Sequence, residues 1–309
     1  MRGAVPPSSV SAAFAAFALI AICLLGGHAF TRFRVLPRDA ADTLNRFVIY
    51  VSLPATVLRV VPALSWNPAL AVLVVTPWIA TVVGAAVVVS VARAFRFRSE
   101  VLAVLLLCVP LGNTSFLGFP MVGALLGPDA IRFAVLYDQF GSFLLVATYG
   151  LFVVARFSGG ARPGVRAIVL RVVRFPPFIA LIVALLPLPH PPVVDAVLDP
   201  LAKTLVPLAL FAVGLKLELR LPRDRGALAF GLVAKMALLP LVAVAVTHAF
   251  GSPKGPAAVA ILEAAMPPMI TAGVLAVMAD LAPELATDLV TYGIVVSFVT
   301  LPFVALLVR

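Results

Sequence analysis

The chain of 309 residues is unusually apolar: 63% of its residues are hydrophobic and 12% are charged, with a mean hydropathy of +1.16. Soluble globular domains carry about a quarter charged residues. A formal net charge of +10 would suit a nucleic-acid partner, but the basic residues are spread over short connections and form no single patch. The composition therefore excludes a soluble enzyme and a nucleic-acid-binding protein, and it predicts an all-α integral membrane protein.

Ten apolar runs of roughly 20 residues, each about the length that crosses a hydrocarbon core some 30 Å thick, follow one another with short connections. They predict ten transmembrane helices, called the first to tenth spans below. Their predicted bounds are 10–30, 44–61, 68–91, 101–126, 131–155, 167–188, 193–215, 226–250, 256–279 and 285–308.

Basic residues cluster in alternate connections, which predicts the orientation of the spans. By the positive-inside rule these connections are cytoplasmic, so both termini are expected on the extracytoplasmic side of the cell membrane. The ninth connection holds Asp280, Glu284 and Asp288 but no basic residue, so it does not itself support this orientation. The clusters are Arg32, Arg34 and Arg38; Arg93, Arg96 and Arg98; Arg156, Arg162, Arg166, Arg171 and Arg174; and Lys216, Arg220, Arg223 and Arg225.

The fourth and ninth spans each contain glycine or proline next to polar residues near mid-length. The fourth has Gly-Asn-Thr-Ser-Phe-Leu-Gly-Phe-Pro at 112–120, and the ninth has Glu-Ala-Ala-Met-Pro-Pro-Met at 263–269. Paired interruptions at corresponding positions of two chain halves are the best sequence indication of the binding site of a secondary transporter. The sequence therefore predicts that both helices are discontinuous and that they cross.

A faint internal repeat relates the two halves. Pro54 in the second span corresponds to Pro207 in the seventh (207 − 54 = 153), and Pro120 in the fourth corresponds to Pro268 in the ninth (268 − 120 = 148). Because a repeat of five spans is odd-numbered, the second copy enters the membrane from the opposite side. We therefore expect two inverted five-helix repeats, 1–160 and 161–309.

Segments 112–120, 207–215 and 263–268 resemble the signature segments of the auxin efflux carrier family, especially its bacterial, malonate-transporter-like members. The resemblance covers essentially the whole chain. It implies an elevator motion of a transport domain, spans three to five and eight to ten, against a scaffold of spans one, two, six and seven. It also implies a small organic anion as solute, such as a malonate-like or auxin-like carboxylate, and a homodimer.

Discontinuous helices expose half-helix N-termini that attract carboxylates, and unwound carbonyl groups that favour cations. The expected solute site therefore lies at the two breaks. Ser115, like Thr114, has a hydroxyl that serves either the solute or the helix itself. The residues predicted to bind the solute are Asn113, Thr114, Gly118, Pro120, Met266, Pro267, Pro268 and Met269.

Charged residues within spans are costly and are seldom retained without a function. Four polar residues near the predicted breaks are candidate coupling-ion sites or charge partners: Asp138 and Gln139 in the fifth span, Lys235 in the eighth and Glu263 in the ninth. We expect Glu263 or Asp138 to titrate during transport, with proton or sodium coupling both open. Lys203 in the seventh span is expected to form a structural ion pair or to reach the interface.

The function predicted from these observations is secondary active transport of a small organic anion by alternating access. Two alternatives are a sodium-coupled symporter of the bile-acid type and a membrane receptor that binds a solute without moving it. An intramembrane enzyme ranks third, because no catalytic, phosphate-binding or metal-binding motif occurs. The sequence predicts no cofactor.

Overall fold

The computed structural model describes residues 7–37, 39–64, 68–159, 164–189, 191–217, 220–251 and 254–308. Within these ranges the protein is all-helical, and its one β-type contact is an isolated bridge between Gly112 and Pro268. The predicted boundary at residues 160 and 161 lies outside the described ranges, as do Arg38 and Arg162. The chain is thus an all-α protein, as the composition predicted.

Five of the described helices are long and apolar enough to cross a membrane: Pro68–Ala94, Pro128–Phe157, Pro192–Leu215, Arg225–Ala249 and Pro283–Val308. They correspond to the third, fifth, seventh, eighth and tenth spans. The first span is the helix Pro7–Arg32, and the second is formed by Ala40–Phe47 and Leu53–Val60, joined by the π-helical turn Val48–Ser52.

The fourth and ninth spans are interrupted near their centres. The fourth consists of Ser99–Cys108, then Thr114–Leu126, and the ninth of Lys254–Ala264, then Ile270–Met278. We call residues 109–113 the fourth-span break and residues 265–269 the ninth-span break. Each span therefore presents a half-helix C-terminus and a half-helix N-terminus inside the protein.

The sixth span differs from the continuous helix predicted over 167–188. It forms two short helices, Val165–Val173 and Pro176–Leu185. Phe175 between them is extended, with φ −75° and ψ 118°. The reason is local, because a residue that precedes proline is disfavoured in the α conformation.

The first, second, sixth and seventh spans pack against one another. The first span lies along Leu205–Leu215 of the seventh, and Leu53–Val60 contacts both Pro176–Leu185 and Pro192–Lys203. Gly27 and Gly214 permit close approach of the first and seventh spans, since a Cβ atom on Gly27 would lie 2.8 Å from the backbone nitrogen of Leu215. The third span packs on the eighth and ninth, and the ninth also packs on the tenth.

Ion pairs connect the seventh and ninth connections. Arg220 Nε lies 3.2 Å from Asp288 Oδ1, and Arg223 Nη1 lies 2.9 Å from Glu284 Oε1. The acidic ninth connection is therefore on the same face of the protein as the basic seventh connection. The basic residues of the seventh connection therefore balance acidic residues of the ninth connection, which has no basic residue of its own.

Candidate functional site

The two breaks lie side by side and exchange backbone hydrogen bonds. The amide of Asn113 donates to the carbonyl of Pro267 at 2.8 Å, and the amide of Met269 donates to the carbonyl of Leu111 at 2.9 Å. Peptide groups that leave a helix inside an apolar protein need other partners. The breaks thus partly satisfy each other, and they fix the point at which the two interrupted helices meet.

A buried carboxylate organises the polar turn that follows the fourth-span break. Asp138 accepts hydrogen bonds from Thr114 Oγ1 at 2.6 Å and Ser115 Oγ at 2.5 Å on one oxygen, and from Gln139 Nε2 at 2.9 Å on the other. Both Asp138 and Gln139 are buried. The hydroxyl groups of Thr114 and Ser115 are therefore used to position the turn against the fifth span.

Three polar positions of the site lie on π-helical turns. Thr114 begins the turn Thr114–Gly118, Asp138 begins the turn Asp138–Ser142, and Lys235 lies in the turn Ala234–Leu238. A π-helical turn widens the helix locally, and such turns are frequent at functional sites. The helices therefore deviate from α geometry where their polar side chains meet.

A cavity of about 250 Å³, which we call the Asn113 cavity, opens beside the fourth-span break. Its polar lining includes residues at the starts of both second half-helices, Thr114 and Ser115 of the fourth span and Thr271 of the ninth, where the first N–H groups lack partners within the helix. Asp138 is the one ionisable group among the described lining residues. The lining residues are Ile49, Leu53, Asn113, Thr114, Ser115, Phe116, Asp138, Phe143, Val146, Ala147, Leu151, Phe175, Met269, Thr271 and Leu275.

Asn113, which lines the cavity, has an unused hydrogen-bond donor. Its side chain is buried, and its Nδ2 atom has no hydrogen-bond partner among the described residues. An unsatisfied buried polar group is rare and calls for an explanation such as a bound ligand. The amide of Asn113, next to the half-helix N-terminus at Thr114, is suited to a carboxylate oxygen.

Behind the breaks, Lys235 and Glu263 line a second and much smaller cavity of about 10 Å³, called here the Lys235 cavity. Both side chains are buried. Lys235 Nζ donates to the carbonyl of Ala264 at 3.1 Å, whereas neither oxygen of Glu263 has a hydrogen-bond partner among the described residues. The two groups thus share a cavity without a hydrogen bond between them.

A third cavity of about 480 Å³, called here the Arg59 cavity, lies next to the second half of the fourth span, and no described residue of either break lines it. Pro120 lines it, together with Arg59 and Lys203. Asp199 pairs with Arg59 Nη2 at 2.7 Å and also with Lys203. Lys203 therefore forms the structural ion pair that its position predicted.

The predicted solute residues divide into groups. Asn113, Thr114 and Met269 line the Asn113 cavity, while Pro120 faces the Arg59 cavity. Met266 is fully buried in the core. The remaining predicted residues lie at or near the breaks: Gly118 lies against the carboxylate of Glu263, Pro267 accepts the Asn113 hydrogen bond, and Pro268 bridges to Gly112.

The sequence interpretation missed most of the cavity wall. Phe143 and Phe175 stack with ring centroids 4.0 Å apart, and both line the Asn113 cavity with Ile49 and Leu53 of the second span. No local signal identifies them, because an apolar residue facing a cavity looks the same in sequence as one facing lipid. Only Phe175 has a sequence context that could have pointed to it, because the following Pro176 and Pro177 interrupt its helix.

These features define a multi-pass membrane protein whose two interrupted helices meet beside the Asn113 and Lys235 cavities. Comparison with known families gives the more specific class. The auxin efflux carrier family, described as "Membrane transport protein", matches residues 12–163 and 165–305. The chain belongs to this family, as the three signature segments predicted.

Two archaeal proteins are similar to the chain. A protein of Methanothermobacter thermautotrophicus described as an uncharacterized transporter is 29% identical over 292 residues, which cover 92% of this chain and 94% of the relative. An uncharacterized transporter of Methanocaldococcus jannaschii is 30% identical over 174 residues, covering 54% of each chain. Both similarities agree with a membrane transporter.

Proposed function

We propose that this protein is a secondary active transporter of small organic anions, which it moves between the Asn113 and Arg59 cavities by alternating access. The observation that carries the proposal is that the crossed breaks border the Asn113 cavity, where Asn113 has an unpartnered amide nitrogen, while the second half of the fourth span borders the separate Arg59 cavity. A solute held where the two breaks meet, which we call the crossing, would exchange between the two cavities when the bundle that carries both breaks moves.

The chemistry of the Asn113 cavity favours a carboxylate with an apolar body. Asn113 Nδ2 and the half-helix N-termini supply donors for one anionic group. The opposite walls are apolar, with Phe143, Phe175 and Leu275 among them, and Asp138 would repel a second negative charge. A monocarboxylate with an aromatic or branched body therefore suits the cavity better than a malonate-like dicarboxylate.

The packing supports an elevator mechanism. Spans one, two, six and seven contact one another and would form the scaffold, while the third to fifth and eighth to tenth spans surround the breaks and would form the transport domain. Ser52 Oγ and Thr204 Oγ1, 152 residues apart, are 2.7 Å from each other. A contact of this kind is expected where corresponding residues of inverted repeats 1–160 and 161–309 lie next to a two-fold axis, so it supports the proposed repeat.

The charge pattern supports a cell-membrane location with both termini outside. The Asn113 cavity extends toward Leu151 and Leu275, close to the basic fifth connection and the acidic ninth connection. The Arg59 cavity lies toward the opposite ends of the spans. The Asn113 cavity would then face the cytoplasm and the Arg59 cavity the exterior.

A thermal-shift screen of the purified protein tests the solute class, because a ligand that binds only the folded state raises the apparent stability. We expect phenylacetate and other apolar monocarboxylates to raise the unfolding temperature more than malonate does. Proteoliposomes then test movement through uptake of radiolabelled phenylacetate. Stabilisation without uptake would make the protein a receptor, and stabilisation by neither class would contradict the anion site.

A further inference from the structure

The crossing contains two buried carboxylates with opposite surroundings. Asp138 accepts three hydrogen bonds, from Thr114, Ser115 and Gln139. Donors of this kind stabilise the ionised form of a carboxylate. Of the two carboxylates, Asp138 is therefore the better suited to remain an anion that holds the polar turn in place.

Glu263 lies in the opposite environment. Its side chain is completely buried, and neither oxygen accepts a hydrogen bond from the described residues. The carboxylate is confined against Gly118, where an added Cβ atom would lie 2.5 and 2.8 Å from its two oxygens. A buried carboxylate without donors is strongly disfavoured as an anion. Glu263 therefore needs a proton, a cation or water.

Lys235 occupies the place where a cation would be expected. Its ammonium group donates to Ala264, the last residue of the first half-helix of the ninth span, and lies 3.0 Å from where a Cβ atom on Gly112 would be. Half-helix C-termini carry partial negative charge, and in discontinuous transporter helices they coordinate the coupling cation. In this chain a lysine of the eighth span holds that position.

The surroundings of Glu263 leave few other charges to consider. The titratable residues that the structure describes around the Lys235 cavity are Tyr137 of the fifth span, Lys235 of the eighth and Glu263 itself, with Asp138 following Tyr137. The third and fourth spans line it with apolar residues, glycine and Thr114, and no described residue of the tenth span lines it. The cavity has room for about one water molecule.

We propose that Glu263 carries the coupling proton, that Lys235 is its fixed counter-charge, and that Asp138 stays ionised throughout the cycle. This inference rests on the proposed transport of a carboxylate. With a proton on Glu263, the charges of Lys235 and Asp138 cancel, and a bound monocarboxylate leaves one net negative charge at the crossing. Without the proton there are two net negative charges at the crossing. Since charge within a membrane is costly, the solute-bound protein would move with the proton on Glu263 more readily than without it.

The proton balance is simple and involves no covalent chemistry. Water on the side to which the site is open supplies the proton to an oxygen of Glu263, and the proton is released on the opposite side after the solute has moved. Lys235 keeps its protons, and Asp138 keeps its three donors. The solute enters and leaves as an anion.

Infrared titration of the purified protein tests the assignment of the proton without any solute. The carbonyl band of a protonated carboxylic acid should be present in the wild type and in Asp138→Asn, and absent in Glu263→Gln. The amide of Gln mimics the protonated acid in size and neutrality, so this variant should fold. Glu284→Gln is a matched control, because Glu284 is half exposed and paired with Arg223. A band lost in Asp138→Asn but kept in Glu263→Gln would overturn the proposal.

Initial rates of radiolabelled phenylacetate uptake into proteoliposomes test the coupling, and protein-free liposomes subtract the passive leak of the acid form, which by itself equilibrates with the pH gradient. With one proton per anion, the leak-corrected initial rate should rise when the outside is made more acid than the inside. Glu263→Gln should abolish this response, while Glu284→Gln should keep it. A pH response retained by Glu263→Gln, or accumulation driven by a sodium gradient, would overturn the proposal. Absence of wild-type uptake would contradict the proposed function, and the infrared result would still decide the proton assignment.

Discussion

The fourth-span and ninth-span breaks share one backbone bridge but differ in chemistry. Asn113, Thr114 and Ser115 of the fourth span line the Asn113 cavity, and the hydroxyl groups of Thr114 and Ser115 donate to Asp138. The ninth-span break is built of alanine, methionine and proline, and the charge behind it belongs to the neighbouring Lys235 and Glu263. The difference indicates that the fourth span selects the solute by its side chains, while the ninth contributes backbone groups and a helix terminus.

The largest effect is expected for Asn113→Ala. Loss of a hydrogen bond to a charged group typically removes about 1.5 to 3 kcal/mol, which corresponds to a fall in affinity of roughly ten- to a hundredfold. Phenylacetate-induced thermal stabilisation of the purified variant measures it. Asn45→Ala, at a half-buried position in the second span, serves as the control. Equal losses in the two variants would refute the role of Asn113.

Thr114→Val tests whether the hydrogen bonds to Asp138, called here the Asp138 network, hold the fourth-span break in the conformation that binds the solute. The isosteric change removes one of three donors to a buried carboxylate, so we expect affinity for phenylacetate to fall about tenfold. Thr81→Val is the matched control, because Thr81 is also buried but its hydroxyl has no partner among the described residues. If Thr81→Val lowers affinity as much as Thr114→Val does, the network is not responsible.

Gly118→Ala tests the contact between the fourth span and Glu263. The new methyl group would press on the confined carboxylate, and overpacking of this kind typically destabilises a protein by about 1 to 3 kcal/mol. The unfolding temperature in detergent measures the change. Gly226→Ala adds a methyl group where no atom lies within 4 Å, and it should be neutral. No difference between the variants would show that the carboxylate is free to move away.

The smallest effect is expected for Met269→Leu in the ninth-span break. The two side chains have similar volumes, and such exchanges usually cost less than about 1.5 kcal/mol. The backbone amide of Met269 still donates to Leu111, so affinity for phenylacetate, measured by thermal shift, should change much less than in Asn113→Ala. A loss as large as that of Asn113→Ala would abolish the distinction between the two breaks.

The sequence predicted the parts of this arrangement that have local causes. Glycine and proline next to polar residues marked the fourth and ninth spans, and the structure interrupts both. The break in the sixth span also has a local cause in Pro176 and Pro177, but the long apolar run led us to predict one continuous helix. Lys203 was assigned a structural role, and it pairs with Asp199.

Contacts between distant spans could not be predicted in this way. That Asp138 accepts from Thr114, and that Lys235 donates to Ala264, depends on how the fourth, fifth, eighth and ninth spans pack. Periodicity gives little help, because spans with apolar residues on every side do not distinguish a cavity wall from a lipid-facing surface. Phe143 and Phe175 were missed for this reason.

The central claim is that the Asn113 and Arg59 cavities serve one solute in turn. Modification of single introduced cysteines by a membrane-impermeant thiol reagent tests it most directly, since Cys23 and Cys108 are buried. Thr271→Cys lies in the Asn113 cavity and Ala124→Cys in the Arg59 cavity. The account predicts that the reagent reaches the first only from the cytoplasmic side and the second only from the exterior. Modification of both from the same side would contradict it.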